Sequence, residues 1–425
     1  MDFSRPMVCL AGAYRASVYV TFLAAGMAVS GISSVHDQEL ITGGVGILVI
    51  TWNYPPRQGG IEQLLASVCA GLSKNHRVAV ITAHATESIA VADEIIFRPT
   101  SPGLIRYFLF AVAKGIAILR GNRNIHVIFA GSVLATPIVL LLARLLRRKA
   151  VVQAHGLDLV YRNSVYQFLI VRWLRYVDRV IANSRHTAEL AQQKGAREQA
   201  IAVIPPGVDW QRFQSADSAD ALKQVWGLAN RKVILFVGRL ARRKGVKEFI
   251  ERSLVDIVKQ VPDVCFVIAG DNPRESLTHH DDVAGEIRQA IARHDLSEHV
   301  RWLGAVNDAE LVQVYALCDV LVLPVLALDY DVEGFGMVAL EAAAAGKPVV
   351  AVCCGGVSDA VEDGVTGILV APADYFTLSD AIVRLLDDPA ARFSMGEAGR
   401  QRALAEFTWA KIVMRYEGAF FDLSA

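Results

Sequence analysis

The chain has 425 residues, 53% hydrophobic and 20% charged, with 32 Gly and 14 Pro; this excludes a disordered, collagenous or disulfide-scaffold protein and leaves apolar material for two or three domains. Lys and Arg together number 43, as do Asp and Glu, so net charge gives no sign of wholesale nucleic-acid binding. The balance hides a split: residues 45–210 carry 19 basic against nine acidic side chains, which suits two domains with different partners, the basic one facing an anionic surface or a phosphate-bearing acceptor.

In chain order, residues 1–44 come first. The run 18–32 is apolar with Arg5 and Arg15 upstream, but it is shorter than the roughly 18 to 20 residues of a membrane span. We read 1–44 as an N-terminal extension, disordered or a mis-assigned start, with a signal or weak anchor as the alternatives. The six cysteines, Cys9, Cys69, Cys265, Cys318, Cys353 and Cys354, show no C-x-x-C pair and no metal-ligand spacing. A reducing cytosol is therefore expected, with adjacent Cys353 and Cys354 buried and inert.

From residue 45 onward, short β-branched runs alternate with helical stretches: 45–51, 78–82, 126–129, 150–153, 179–182 and 201–203. Such nearly continuous apolar runs are those of parallel strands covered on both faces. Pro205, Pro206 and Gly207 break the pattern, and the small polar residues 215–220 mark a linker. A second set follows at 232–237, 264–269, 300–303, 320–324, 348–351 and 367–370. The expected fold is α/β, two tandem Rossmann-like domains with mainly parallel sheets, 45–212 and 213–405. The tail, 406–425, has helical apolar spacing and either caps its own domain or crosses back to the first.

Ligands of open α/β sheets bind beyond the carboxyl ends of the strands, so the loops there are the place to look. After the first strand, Gly59 and Gly60 precede a helix, where bare amides can face a phosphate or make an ordinary tight turn. No G-x-G-x-x-G or P-loop sequence is present, which weakens dinucleotide and nucleoside-triphosphate readings. After 232–237 comes Gly238-Arg239-Leu240-Ala241-Arg242-Arg243-Lys244-Gly245; Arg239 and Lys244 suit a diphosphate, though a solvated basic turn has the same composition. Further on, Glu333-Gly334-Phe335-Gly336 leads into a helix carrying Glu341, so that two carboxylates near a helix start can accept from sugar or ribose hydroxyls.

Taken in order, Gly59-Gly60, His155-Gly156, Asn183-Ser184, Pro205 to Asp209, Val237 to Leu240, Lys244-Gly245, Gly270-Asp271, Glu333 to Glu341 and Gly355-Gly356 resemble the retaining glycosyltransferases of the glycogen-synthase-like family four. The resemblance covers about residues 45–425. It implies a GT-B fold whose second domain holds a nucleotide-sugar donor and whose first holds the acceptor. It also implies catalysis without metal or cofactor. Residue by residue, Arg239 and Lys244 would neutralise the diphosphate and Glu341 would bind ribose. Glu333 with the amides of Gly334, Phe335 and Gly336 would face the donor sugar, His155 would sit over it, and Gly59 and Gly60 would approach phosphate or acceptor. One departure is Asp359, where many relatives carry glutamate; it is left out of the site.

The loop from Pro55 to Glu62 and the Asp331-Val332-Glu333-Gly334 run look most like mannosyltransferases acting on phosphatidylinositol-type or polysaccharide-lipid acceptors, so GDP-mannose is the favoured donor. A UDP-sugar donor, or sugar-nucleotide binding without turnover, are the alternatives. Asp158 is either an acceptor contact or a surface residue. Residues 161–179 interleave Arg162, Arg172 and Arg175 with Tyr166, Phe168, Trp173 and Tyr176, and 140–149 end in a basic cluster. Both either lie on an anionic bilayer or cover the sheet with a basic rim. The expected place is the cytoplasm, at the inner face of the membrane, with no nucleic-acid partner.

Overall fold

The computed structural model describes residues 46–57, 59–84, 95–214, 219–272 and 282–421. The expectations for residues 1–44 lie outside this set. Seven strands form the first sheet: β1 (Gly46–Ile50), β2 (Arg77–Ile81), β3 (Ile95–Phe97), β4 (Ile125–Ala130), β5 (Lys149–Ala154), β6 (Arg179–Ala182) and β7 (Ile201–Val203). All pairs are parallel, in the order β3-β2-β1-β4-β5-β6-β7. The second sheet holds β8 (Lys232–Val237), β9 (Val264–Ala269), β10 (Val300–Gly304), β11 (Val320–Leu323), β12 (Val349–Val352) and β13 (Gly367–Val370), again all parallel, in the order β10-β9-β8-β11-β12-β13.

The apolar runs become buried strands because helices cover both faces of each sheet. Leu48, Ile50 and Ile128 belong to the cluster on one face of the first sheet, and Ile47, Val49 and Phe129 to that on the other. A separate core gathers the second sheet and its helices, from Val208 to Phe407. One strand is absent from the sequence reading: β3 has three half-buried residues at a sheet edge.

The chain crosses between lobes twice, at one place. Val208 N–H donates to the Phe407 carbonyl at 2.8 Å, and a Cβ on Gly207 would stand 2.6 Å from the Trp409 ring. Beyond this crossing, the helix Trp409–Phe421 lies on the first sheet. Its Ile412, Val413, Tyr416 and Phe420 join Ile47, Val49 and Phe129 in one cluster, and Tyr416 Oη donates to buried Gln153 Oε1 at 2.8 Å.

In both sheets the strand order reverses direction beside the first strand of the lobe, between β1 and β4 and between β8 and β11. The crevice at such a switch point is where open α/β sheets bind ligands.

Candidate active site

The switch point of the second lobe is built from the loops after β8 and β11. Gly238 leaves β8 with φ 142°. The chain then makes a short turn, Arg242–Lys244, closed by Gly245 at φ 66°. A Cβ on Gly245 would stand 1.8 Å from the Pro324 carbonyl oxygen, so only glycine lets this turn lie against the end of β11. That approach brings the turn's cations to carboxylates about ninety positions later in the sequence.

Lys244, 7% exposed, places Nζ 2.8 Å from Glu333 Oε2. Arg243 donates through Nη1 to the same oxygen, and its Nε lies 3.0 Å from Asp331 Oδ1. Two cations and two carboxylates thus form one nearly dry cluster, in which Arg243 and Asp331 were given no role in the sequence analysis. Burial drives the Glu333 carboxyl upward, but Arg243 and Lys244 outweigh it and bring it down to about 2, so it is ionised. Burial pushes the Lys244 ammonium below its ordinary value while Glu333 pulls it back up. With both cations on Oε2, Glu333 Oε1 carries no hydrogen bond from any described residue. Arg239 is exposed, and its side chain makes no hydrogen bond or ion pair to a described residue.

Glu341 lies four positions into the helix Met337–Ala344, which starts from Gly336 at φ 88°. It is 9% exposed and accepts from Tyr315 Oη at 2.7 Å. Burial raises its carboxyl above the ordinary value. Glu333 and Glu341 therefore stand in opposite electrostatic settings. Phe335 is 2% exposed in the core of the second lobe, which leaves only its backbone for a ligand.

On the first lobe, His155 follows β5 and is 7% exposed. Its Nε2 lies 2.8 Å from the Gly131 carbonyl, and because a carbonyl only accepts, Nε2 is the donor of this bond, which fixes the ring's orientation. Asp158 is half-buried, and its two oxygens accept from the backbone N–H groups of His155 (2.9 Å) and Val133 (3.2 Å), fixing the loop that carries the histidine. Gly59 and Gly60 open the helix Gly60–Leu72, whose Glu62 accepts from Asn53 Nδ2 at 2.7 Å.

The lobes meet across these loops. A Cβ on Gly334 would fall 2.2 Å from the His155 carbonyl, and one on Gly60 would lie 3.2 Å from Met337 Sδ. Arg185 pairs with Asp359 across the same seam. The structure thus brings His155, Gly334, Glu333 and Lys244 into one region, with Gly60 beside Met337 at the start of the helix that carries Glu341. The cysteine expectation is corrected: Cys353 is exposed and Cys354 half-buried, because β12 ends at Val352 and both thiols fall in the loop after it. Among the described residues no group of three or more His, Cys, Asp or Glu side chains is placed to hold a metal ion, and no helix is long and apolar enough to cross a membrane.

Residues 58–212 match the family model described as Glycosyltransferase Family 4, and residues 218–402 that of Glycosyl transferases group 1. Over 377 residues, 85% of this chain and 95% of the relative, the sequence is 30% identical to the GDP-mannose-dependent alpha-(1-6)-phosphatidylinositol monomannoside mannosyltransferase of Mycolicibacterium smegmatis. The chain belongs to the family 4 glycosyltransferases. The glycosyltransferase is also 28% identical over 376 residues to the corresponding enzyme of Corynebacterium glutamicum that acts on the monoacylated acceptor, covering 85% of this chain and 94% of the relative. Among solved structures, Anabaena HepE in complex with UDP and glucose superposes with a TM-score of 0.72 at 24% identity, covering 88% of this chain and 98% of that one. Sucrose-phosphate synthase from Thermosynechococcus elongatus gives 0.75 at 23%, covering 89% and 99%. Both share the two-lobed GT-B fold of this glycosyltransferase.

Proposed function

We propose that the enzyme transfers a mannosyl group from GDP-mannose to a lipid-linked acceptor with retention of configuration, without a metal ion or other cofactor. The observation that carries this reading is the buried Lys244 at the switch point of the second lobe, beside exposed Arg239 and across from His155. The named activity of relatives near 30% identity supports the choice of donor.

Lys244 and Arg239 face the diphosphate and offset the charge that grows on it as the sugar departs, which is where preorganised charge contributes most. Glu341 accepts from the ribose hydroxyls. Glu333 Oε1, with the amides of Gly334, Phe335 and Gly336, holds hydroxyls of the donor sugar. His155 Nδ1 accepts from another, while the Gly59-Gly60 turn approaches from the first lobe. Glu333 is held by two cations on one oxygen, an arrangement suited to hydrogen bonding rather than to forming a covalent bond to the sugar. The reaction in this reading is attack on the face from which the nucleotide leaves, with the departing phosphate oxygen taking the acceptor's proton.

The acceptor reading rests on the first lobe. Arg162, Gln167, Phe168 and Arg172 line an open cavity of about 600 Å³. Arg162 also stacks over Tyr330, 5.3 Å from its ring centroid, one position before Asp331, so the cavity lies next to the donor loop. The neighbouring Val165, Phe168, Leu169 and Trp173 are exposed. Cations among exposed apolar side chains suit an anionic headgroup and peripheral contact with an anionic bilayer at the inner face of the membrane.

The test is turnover with GDP-mannose and a panel of UDP-sugars on phosphatidylinositol-type lipids, with the product anomer read by NMR and EDTA present. The expected result is an α-mannosylated lipid formed at an undiminished rate. Turnover with UDP-sugars alone would replace the donor, and an inverted anomer or loss of activity in EDTA would overturn the mechanism.

A further inference from the structure

We infer that Arg243 is a positioning residue: by holding Glu333 and Asp331 it serves as their permanent counter-ion, so that Lys244 is free to leave Glu333 for the donor diphosphate. This rests on the diphosphate role proposed for Lys244. In the ligand-free enzyme Lys244 Nζ sits 2.8 Å from Glu333 Oε2, and a single ammonium with a buried carboxylate as its sole partner cannot turn to a phosphate without leaving that carboxylate uncompensated, a costly state. Here the same oxygen also accepts from Arg243 Nη1. Arg243 is itself tied through Nε to Asp331 at 3.0 Å, and side-chain exposures are 12% for Arg243, 7% for Asp331 and 11% for Glu333.

The fork of the guanidinium spans both carboxylates at once, which an ammonium does not do. Arg243 thereby fixes the loop from Asp331 to Glu333. The groups facing Glu333 are then Arg243, Lys244, Asp331 and the Cys354 thiol behind it. Donor binding exchanges the Lys244 partner while the Arg243 contacts stay in place.

The experiment is a thermodynamic cycle on the full-length enzyme, read by calorimetric binding of GDP, or of UDP if GDP does not bind. Neither nucleotide carries the donor hexose, so the hydroxyls proposed to meet Glu333 are absent, and the ribose hydroxyls fall to Glu341. Arg243→Met is expected to weaken binding roughly tenfold or more, because Lys244 stays on Glu333. In Arg243→Met/Glu333→Gln the lock is gone, and affinity returns to within about twofold of Glu333→Gln alone. Arg243→Lys, which keeps the charge but not the fork, gives a second reading should the methionine variant fail to fold, and is expected to fall between wild type and Arg243→Met. A double variant as weak as Arg243→Met would show that Arg243 touches the nucleotide itself and overturn the inference. Wild-type affinity in Arg243→Met and in Arg243→Lys would overturn it equally. Absence of binding of either nucleotide to the wild type would instead remove the underlying reading.

Discussion

Arg185 donates to both oxygens of Asp359, from its backbone N–H and from Nε, each at 2.5 Å, and so joins the first helical turn after β6 to the short helix Val357–Ala360 that follows β12. The aspartate that departs from the family pattern is therefore a cross-lobe strut. The Arg185 side chain is 75% exposed, so the ionic part is small, while capping a helix N-terminus is worth about 1 kcal/mol. Asp359→Ala is expected to lose about that much in thermal unfolding. In X-ray solution scattering without ligand it should show a larger radius of gyration than wild type; an identical profile would mean that other contacts hold the lobes.

Arg239 and Lys244 should respond differently to alanine. Arg239 is exposed and its side chain makes no hydrogen bond or ion pair to a described residue, so Arg239→Ala is expected to leave the melting temperature unchanged while lowering kcat/KM by roughly 10²-fold. Lys244→Ala strips a partner from buried Glu333, and is expected to lower both activity and stability. Equal stability losses in the two variants would contradict the burial difference.

The pH response of Glu333 has a defined sign. Its folded carboxyl lies near 2, below the unfolded value, so its pairing stabilises fully above about 4.3 and is lost as pH falls through 2. Glu333→Gln is expected to be less stable than wild type at pH 7, with the gap narrowing below pH 4 in acid-unfolding curves. A gap independent of pH would contradict this.

Glu341 has the opposite sign. Burial raises its folded carboxyl, so the native state holds the proton more tightly and stability is lost as pH rises through the window between the unfolded and folded values. Glu341→Gln still offers an oxygen to Tyr315 Oη. It is expected to melt at or above the wild-type temperature at pH 7.5 while binding GDP more weakly, the signature of a carboxylate kept for its ligand.

Contact with an anionic bilayer should be measurable by vesicle sedimentation. Arg172, whose guanidinium lies 4.4 Å from the ring centroid of Phe168, and exposed Trp173 are the residues to change. Arg172→Glu and Trp173→Ser are each expected to reduce binding to phosphatidylglycerol vesicles several-fold, with binding falling as salt rises. Equal binding to neutral phosphatidylcholine would contradict the charge argument.

The sheets were legible because parallel strands buried on both faces write themselves as unbroken β-branched runs, as at Lys232–Val237, which coincides with the expected strand. β3 was not, since three half-buried edge residues carry no periodicity. In the site, glycines and cations at strand ends drew attention to Lys244, Glu333 and Glu341. Arg243 escaped because one of three consecutive basic residues has nothing local to distinguish it; its role comes from Asp331 and Glu333, supplied by another strand's loop. The bracing role of Asp158 escaped for the same reason, as its partners are main-chain N–H groups that leave no mark in side-chain chemistry. The exposure of Cys353 follows from β12 ending at Val352, immediately before it.

The helix Trp409–Phe421 closes the apolar face of a sheet whose own strands were complete two hundred residues before. During synthesis the leading half of the enzyme therefore leaves the ribosome with Ile47, Val49 and Phe129 short of their final cover, and acquires it only when the last thirteen-residue helix emerges. The first lobe is therefore not a contiguous folding unit, and removing the helix Trp409–Phe421 would uncover strands laid down far upstream of it.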